Sequence, residues 1–255
     1  MTIRAVLRVV AMAGLMVLCV PAWGIARLFG REPVIVRVFL GGVGWLLGLR
    51  VRIVGKPVER RVLYVANHIT WLDIPALGGT RYTQFVAKSQ IAGWPLVGWL
   101  AKLGGSVFVR REERSKTREQ ANAVIEALRG GRPVGLFAEG GTSDGVTLDA
   151  FRPALFAAAV EAGVLVQPVA IDYGTRSREI AWPDDVTFGT EAKRMLGRPA
   201  AVAVTLHFLD PLDATRMDRK ALAAECHRAV TQALGRPAVV PKSAPTFVGE
   251  GDRAA

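Results

Sequence analysis

Short apolar runs alternate with helix-patterned segments along most of this chain. Residues 51–54, 62–66, 84–87, 106–109, 134–137, 164–171 and 202–209 are rich in valine and bordered by Gly or Pro, the signature of strands. Between them, Thr117-Arg118-Glu119-Gln120 has the pattern of a capping box, in which a hydroxyl and a glutamate or glutamine satisfy the first N–H groups of a helix. Ala121, Val124, Ile125 and Leu128 then fall on one helical face, up to the stop at Gly130-Gly131. Residues 154–162 predict a second, largely buried helix, and Asp218 is placed to cap a third over 219–234. Strands alternating with helices predict an α/β domain over residues 51–236, with a central, mainly parallel or mixed sheet flanked by helices. Pro168 interrupts the run Val166-Gln167-Pro168-Val169-Ala170-Ile171 and predicts an edge strand or a bulge there. Residues 237–255, with Pro241 and Pro245 and a small, polar end, read as a disordered tail.

The first 50 residues follow a different pattern. Residues 9–26 carry no charge over 18 positions, with Arg4 and Arg8 before them and Arg27 and Arg31 after. As a helix this run is about 27 Å long, just short of a hydrocarbon core of about 30 Å. A second run, residues 38–49, is too short to span, and its glycines and Trp45 suit a helix lying in the interface. Together they predict an N-terminal, membrane-embedded helical pair over residues 1–50, either spanning or re-entrant, with Pro21 a point of kinking in the first helix.

Charge sharpens that picture. The 255 residues carry a net +11, with 51% hydrophobic residues and a mean hydropathy of +0.27. Residues 1–61 hold ten Lys/Arg against two Asp/Glu, a net of +8, and the remaining residues hold 23 against 20. The positive charge thus flanks apolar runs, which fits an anionic membrane surface and argues against a nucleic-acid partner. Cys19 and Cys226 are too few and too far apart for a disulfide framework or a zinc site, and both read as packing residues.

The candidate chemistry begins at Asn67-His68-Ile69-Thr70-Trp71-Leu72-Asp73. Five residues along one helix separate two side chains by about 140°, so His68 and Asp73 could not meet there. They can meet if His68 lies in the turn after the strand 62–66 and Asp73 in the first turn of the next helix, a position that Pro75 supports. A positive helix terminus favours a carboxylate at that place. An aspartate beside a histidine fixes the imidazole tautomer and stabilises the imidazolium, as in a triad without its serine. The missing nucleophile predicts that a substrate hydroxyl gives its proton to His68.

Two further stretches are chemically distinctive. Arg110 and Arg111 end the run 106–109; an arginine fork grips phosphate or carboxylate, although Glu112, Glu113 and Arg114 make a solvated charge cluster an equal reading. Glu139-Gly140-Gly141-Thr142-Ser143-Asp144-Gly145 follows the strand 134–137, and its glycines leave backbone N–H groups accessible to an anion or an acyl oxygen.

His68 and Asp73 with four residues between, a strand ending in Arg111, then Phe-x-Glu-Gly and a strand with Val-x-Pro-Val occur in the order and spacing of the lysophosphatidic acid acyltransferase family of glycerolipid acyltransferases. The resemblance covers roughly residues 60–175. Lys88 is similar to a lysine those enzymes carry between their first two motifs, and the N-terminal helical pair is similar to theirs. The resemblance implies transfer of a fatty acyl group from acyl-CoA or acyl-carrier protein to the free hydroxyl of a lysolipid, with no metal and no other cofactor. His68 is then the general base and Asp73 its orienting partner. Lys88, Arg111 and the loop Glu139, Gly140, Gly141, Thr142 and Ser143 are expected to bind substrate. Membrane lipids are implied as partners, and a bacterial inner membrane, with the catalytic domain on its cytoplasmic side, as the location.

The third motif departs from the family's usual Phe-Pro-Glu-Gly-Thr-Arg-Ser. Ala138 replaces the proline, Gly141 the threonine and Thr142 the arginine. Without that arginine a cation expected on the acceptor's phosphate is missing. The form here looks more like relatives that acylate other lysolipids, lyso-ornithine lipid among them, so lysophosphatidate and lyso-ornithine lipid are both carried forward. A non-catalytic lipid-binding scaffold is the remote alternative.

Overall fold

The computed structural model describes residues 2–109, 117–182 and 185–235. The expected tail lies outside these residues, as does Arg111.

Two helices open the chain, α1 (Ile3–Leu28) and α2 (Glu32–Leu46). Thr2 caps α1, its hydroxyl oxygen accepting from Ala5 N at 3.3 Å. At 26 residues α1 exceeds the uncharged run, and Pro21 lies inside it. It is long and apolar enough to cross a membrane, and among the described residues it is the one helix that is. The second helix differs from expectation. It begins at Glu32 rather than at residue 38, because Pro33 suits a first turn, and it stops before residue 49, where Leu49 already belongs to a strand.

The sheet contains β1 (Leu49–Gly55), β2 (Val62–Ala66), β3 (Gln84–Lys88), β4 (Val107–Val109), β5 (Val134–Phe137), β6 (Leu165–Asp172), β7 (Val202–Phe208) and β8 (Leu212–Asp213). Its order is β1-β7-β6-β2-β5-β3-β4, with β8 on the edge of β6. The strands β6, β2, β5, β3 and β4 run parallel, β1 runs parallel to β7, and β7 and β8 are antiparallel to β6. The sheet is therefore mixed.

Alternation along β2 builds two cores. Leu63 and Val65 point to one face, against Ile125 and Leu128 of α5 (Thr117–Arg129), Phe156, and Leu222, Cys226 and Val230 of α9 (Arg219–Leu234). Val62, Tyr64 and Ala66 point to the other, against Leu72, Ala76 and Leu77 around α3 (Asp73–Thr80) and Met195 of α8 (Phe188–Gly197). Burial on both faces explains why β2 is apolar throughout. Asp218 caps α9 as expected, its carboxylate accepting from Lys220 N and Ala221 N at 2.8 Å. The second predicted helix splits into a 3-10 turn over Pro153–Phe156 and α6 (Ala157–Ala162). Cys226 is buried, whereas Cys19 on α1 is only half-covered.

Pro168 corrects one expectation: β6 is interior, between β2 and β7. The proline is tolerated because its free side faces the corner where β7 has ended at Phe208 and β8 has not begun. There its carbonyl accepts from Leu209 N at 3.0 Å, and no ladder partner needs its absent N–H.

Helix α2 packs on α3 by close backbone approach. A Cβ on Gly79 would lie 2.6 Å from Gly41 Cα. At the other end of α1, the Arg8 guanidinium donates to the carbonyls of Met195, Leu196 and Arg198 at 3.2, 2.9 and 2.8 Å, satisfying the C-terminus of α8 and fastening α1 to the domain.

Candidate active site

Parallel pairing of β2 with β5 and β6 brings the ends of all three strands to one edge of the sheet, where the loops that leave them meet. Buried Asn67 clamps that edge. Its side chain donates to Ile171 O at 3.0 Å and accepts from Ile171 N at 2.8 Å, tying the end of β2 to β6.

His68 lies in the turn after β2 and Asp73 is the first residue of α3, as the spacing predicted. His68 Nδ1 is 2.8 Å from Asp73 Oδ2. The carboxylate is wholly buried and accepts three more hydrogen bonds, from Ile69 N at 2.8 Å, Thr70 N at 3.0 Å and Tyr173 Oη at 2.7 Å. A carboxylate so placed is acceptor-only, so the shared proton sits on Nδ1 and the lone pair on Nε2. Nε2 makes no hydrogen bond among the described residues, and the side chain is 16% exposed. Phe137, at the end of β5, stacks on the ring with centroids 3.9 Å apart and 13° between planes. The imidazole is thus held on one edge and one face, with its basic nitrogen available.

Glu139 sits behind the histidine. Its Oε1 accepts from His68 N at 2.7 Å and its Oε2 from Asp149 N at 3.0 Å. Burial pushes this carboxyl up to about 8, against the downward pull of the two N–H donors. Ser143 grips the same residue from the other side, its N–H and hydroxyl donating to His68 O at 2.7 and 3.2 Å. Thr142 donates its hydroxyl to Trp182 O at 2.8 Å. Glu139, Thr142 and Ser143 bond within the protein and shape the loop around His68. Gly140, with φ of 89°, takes the turn that a side chain would strain, and Gly141 is half-exposed beside it. Lys88 ends β3 on the same sheet edge and is exposed; its partner in register is Val109, the last described residue of β4, two before Arg111. Among the described residues no group of three or more His, Cys, Asp or Glu could hold a metal ion.

A base and its orienting carboxylate without a nucleophile can deprotonate a bound hydroxyl, and comparison with known proteins agrees in kind. The acyltransferase family model matches residues 50–172. A protein of Rhodobacter capsulatus named lyso-ornithine lipid O-acyltransferase is 35% identical over 213 residues, covering 80% of this chain and 75% of that protein. The chain belongs to the acyltransferase family. A Brucella abortus protein of the same name is 42% identical over 200 residues, 71% of this chain and 74% of its own. Among solved structures, the 1-acyl-sn-glycerophosphate (LPA) acyltransferase of Thermotoga maritima superposes with a TM-score of 0.69 over 91% of this chain and 95% of that one, at 23% identity, so the fold is shared.

Two residues of this acyltransferase's site escaped the sequence reading. Tyr173 follows β6 by one residue, and its buried hydroxyl is pushed well above its usual range by desolvation and by Asp73. Only the adjacency of β6 to β2, which no local pattern encodes, brings it there. Phe137 was visible as the last residue of a strand, but its stacking depends on β5 lying next to β2.

Proposed function

We propose that this acyltransferase moves a fatty acyl group from a thioester, acyl-CoA or acyl-carrier protein, to the free hydroxyl of a lysolipid, with lyso-ornithine lipid as the acceptor. The observation that carries the reading is the open Nε2 of a histidine whose Nδ1 is held by buried Asp73. The acceptor hydroxyl gives its proton to Nε2 as its oxygen attacks the thioester carbonyl. The tetrahedral intermediate collapses to the ester, and the departing thiolate takes the proton back from the imidazolium. Every atom is accounted for without a covalent enzyme intermediate, because the thioester is already activated. Two features support an acceptor other than lysophosphatidate: Thr142 stands where a phosphate-gripping arginine would be, and the Rhodobacter and Brucella relatives carry the lyso-ornithine name. Membrane association rests on α1, and the cytoplasmic face of a bacterial inner membrane is proposed with it.

The test is a lysolipid panel with purified full-length protein and one labelled acyl thioester. Lyso-ornithine lipid is expected to have the higher kcat/KM. A preference for lysophosphatidate would overturn the acceptor assignment, and no transfer to any lysolipid would overturn the activity.

A further inference from the structure

The edge of the sheet opposite the active site holds a second polar feature, which acyl transfer does not use. A hollow of about 320 Å³ lies where the first turns of α2 meet the residues leading into β2, β3 and β5. Arg37, Arg60 and Arg81 line it, together with Tyr82, Val34 and Glu59. Arg60 precedes β2 and His68 follows it, so the hollow and the catalytic histidine are separated by a strand length of about 17 Å.

Its charge is unbalanced. Glu59 pairs with Arg81 at 3.2 Å, but its side chain is 72% exposed, so the pair is a weak, hydrated one. Glu32, nearby on α2, is taken by Arg132 at 3.1 Å. Arg37 and Arg60 make no hydrogen bond or ion pair among the described residues. Three arginines thus line the hollow against one loosely held carboxylate, and two of them have no side-chain partner among the described residues. Guanidinium forks match the oxygens of a phosphate group.

The neighbouring surface indicates where the phosphate comes from. Val34, Val38 and Trp45 on α2 are 50%, 50% and 65% exposed. They fall within about 40° of one another around the helix, and Arg37 lies about 60° from Val34, on the flank towards the hollow. The stripe adjoins the apolar surface of α1, where Val10, Val17, Leu18 and Ile25 are exposed. A lipid whose acyl chains lie along this stripe would carry its headgroup phosphate into the arginines.

We propose that Arg37, Arg60 and Arg81 form a binding site for the phosphate of an anionic glycerophospholipid, distinct from the active site and continuous with the membrane-facing surface of α1 and α2. Occupied, it ties the α2 end of the helical pair to the domain through the lipid itself, as Arg8 ties the α1 end through protein. The site selects negative headgroups and takes no part in chemistry.

Full-length protein in an uncharged detergent is titrated with short-chain phosphatidylglycerol, with short-chain phosphatidylcholine and with inorganic phosphate, and the rise in Tm gives an apparent affinity for each. Phosphatidylglycerol is expected to stabilise the wild type well beyond the other two. The Arg37→Gln/Arg60→Gln double variant should lose tenfold or more of that affinity, with acyl transfer in detergent unchanged. Glu59→Gln frees Arg81 from its competing carboxylate and should bind phosphatidylglycerol more tightly; this gain stays readable even if the double variant fails to fold. An equal rise with inorganic phosphate would overturn the lipid assignment. An unchanged phosphatidylglycerol response in the double variant, or in Glu59→Gln, would overturn the site.

Discussion

His68 Nε2 is without a hydrogen bond among the described residues while Asp73 holds Nδ1, and Asp73 is itself held by Ile69 N, Thr70 N and Tyr173 Oη. His68→Ala is therefore expected to lower kcat by about 100-fold or more, the usual worth of a general base. Asp73→Asn should cost less, because the ring keeps its stacking on Phe137. Near-normal turnover in folded His68→Ala would remove the histidine from the mechanism. Tyr173→Phe deletes one bond to a charged group, worth about 1.5–3 kcal/mol, and should appear as a lowered denaturation midpoint with a smaller loss of activity than His68→Ala. Glu139 makes a separate, pH-dependent prediction. Its carboxyl stands at about 8 in the folded chain against an ordinary 4.5. Between those values the folded chain keeps a proton that the unfolded chain has lost, so this contribution favours folding at low pH and is lost as pH rises through about 8. Tm followed from about pH 5 to about pH 9 should fall more steeply in wild type than in Glu139→Gln, and parallel profiles would assign the titration to another group. The His68–Asp73 pair was legible in the sequence because both lie within seven residues and a strand–turn–helix boundary is a local event. The bonds of Glu139 and Ser143 to His68 and of Thr142 to Trp182 were not, since they cross 40 to 75 positions along the chain.

Helix α3 carries Asp73 at its first residue and Gly79 near its last, where α2 crosses with almost no side chain between the backbones. A larger residue at position 79 has nowhere to go, because its Cβ would meet the Gly41 backbone at 2.6 Å. Gly79→Val should cost about 1–3 kcal/mol by overpacking, read as a shift of the denaturation midpoint. It should also reduce kcat, since a displaced α3 moves Asp73 away from His68. The elements that were visible beforehand have clear signals: β2 and β5 are continuous apolar runs, and α9 is punctuated by Asp218 before it and Gly235 after it. Two of those that escaped are very short, although the ten-residue α8 escaped as well. The two-residue β8 and the four-residue α7 (Ser177–Ile180) are set by tertiary contact, and no periodicity develops over so few positions. Pro168 misled for the same reason, because whether a strand is an edge depends on its neighbours.

The molecule joins a three-layer domain to a helical pair that is only partly its own. Arg8 bonds to the end of α8 and Gly41 lies against Gly79, while the outer surface of α1 stays apolar and uncovered. Removing residues 1–31 should therefore abolish or sharply reduce sedimentation with vesicles, while α2 continues to cover α3. Removing residues 1–50 should in addition unfold the domain, because it strips α3 and takes Leu49 and Arg50 out of register with Val202 and Ala203. Unchanged sedimentation of the shorter deletion with both neutral and anionic vesicles would place the anchor elsewhere. The uncovered face of α1 also decides what concentration means for this enzyme. Held at a bilayer, it meets its acceptor by lateral diffusion in two dimensions, so the rate should follow the mole fraction of lysolipid in the membrane and not its amount per volume. Inert lipid added at constant lysolipid should slow the reaction by surface dilution, and a stretch of apolar sequence thereby becomes a sensor of membrane composition.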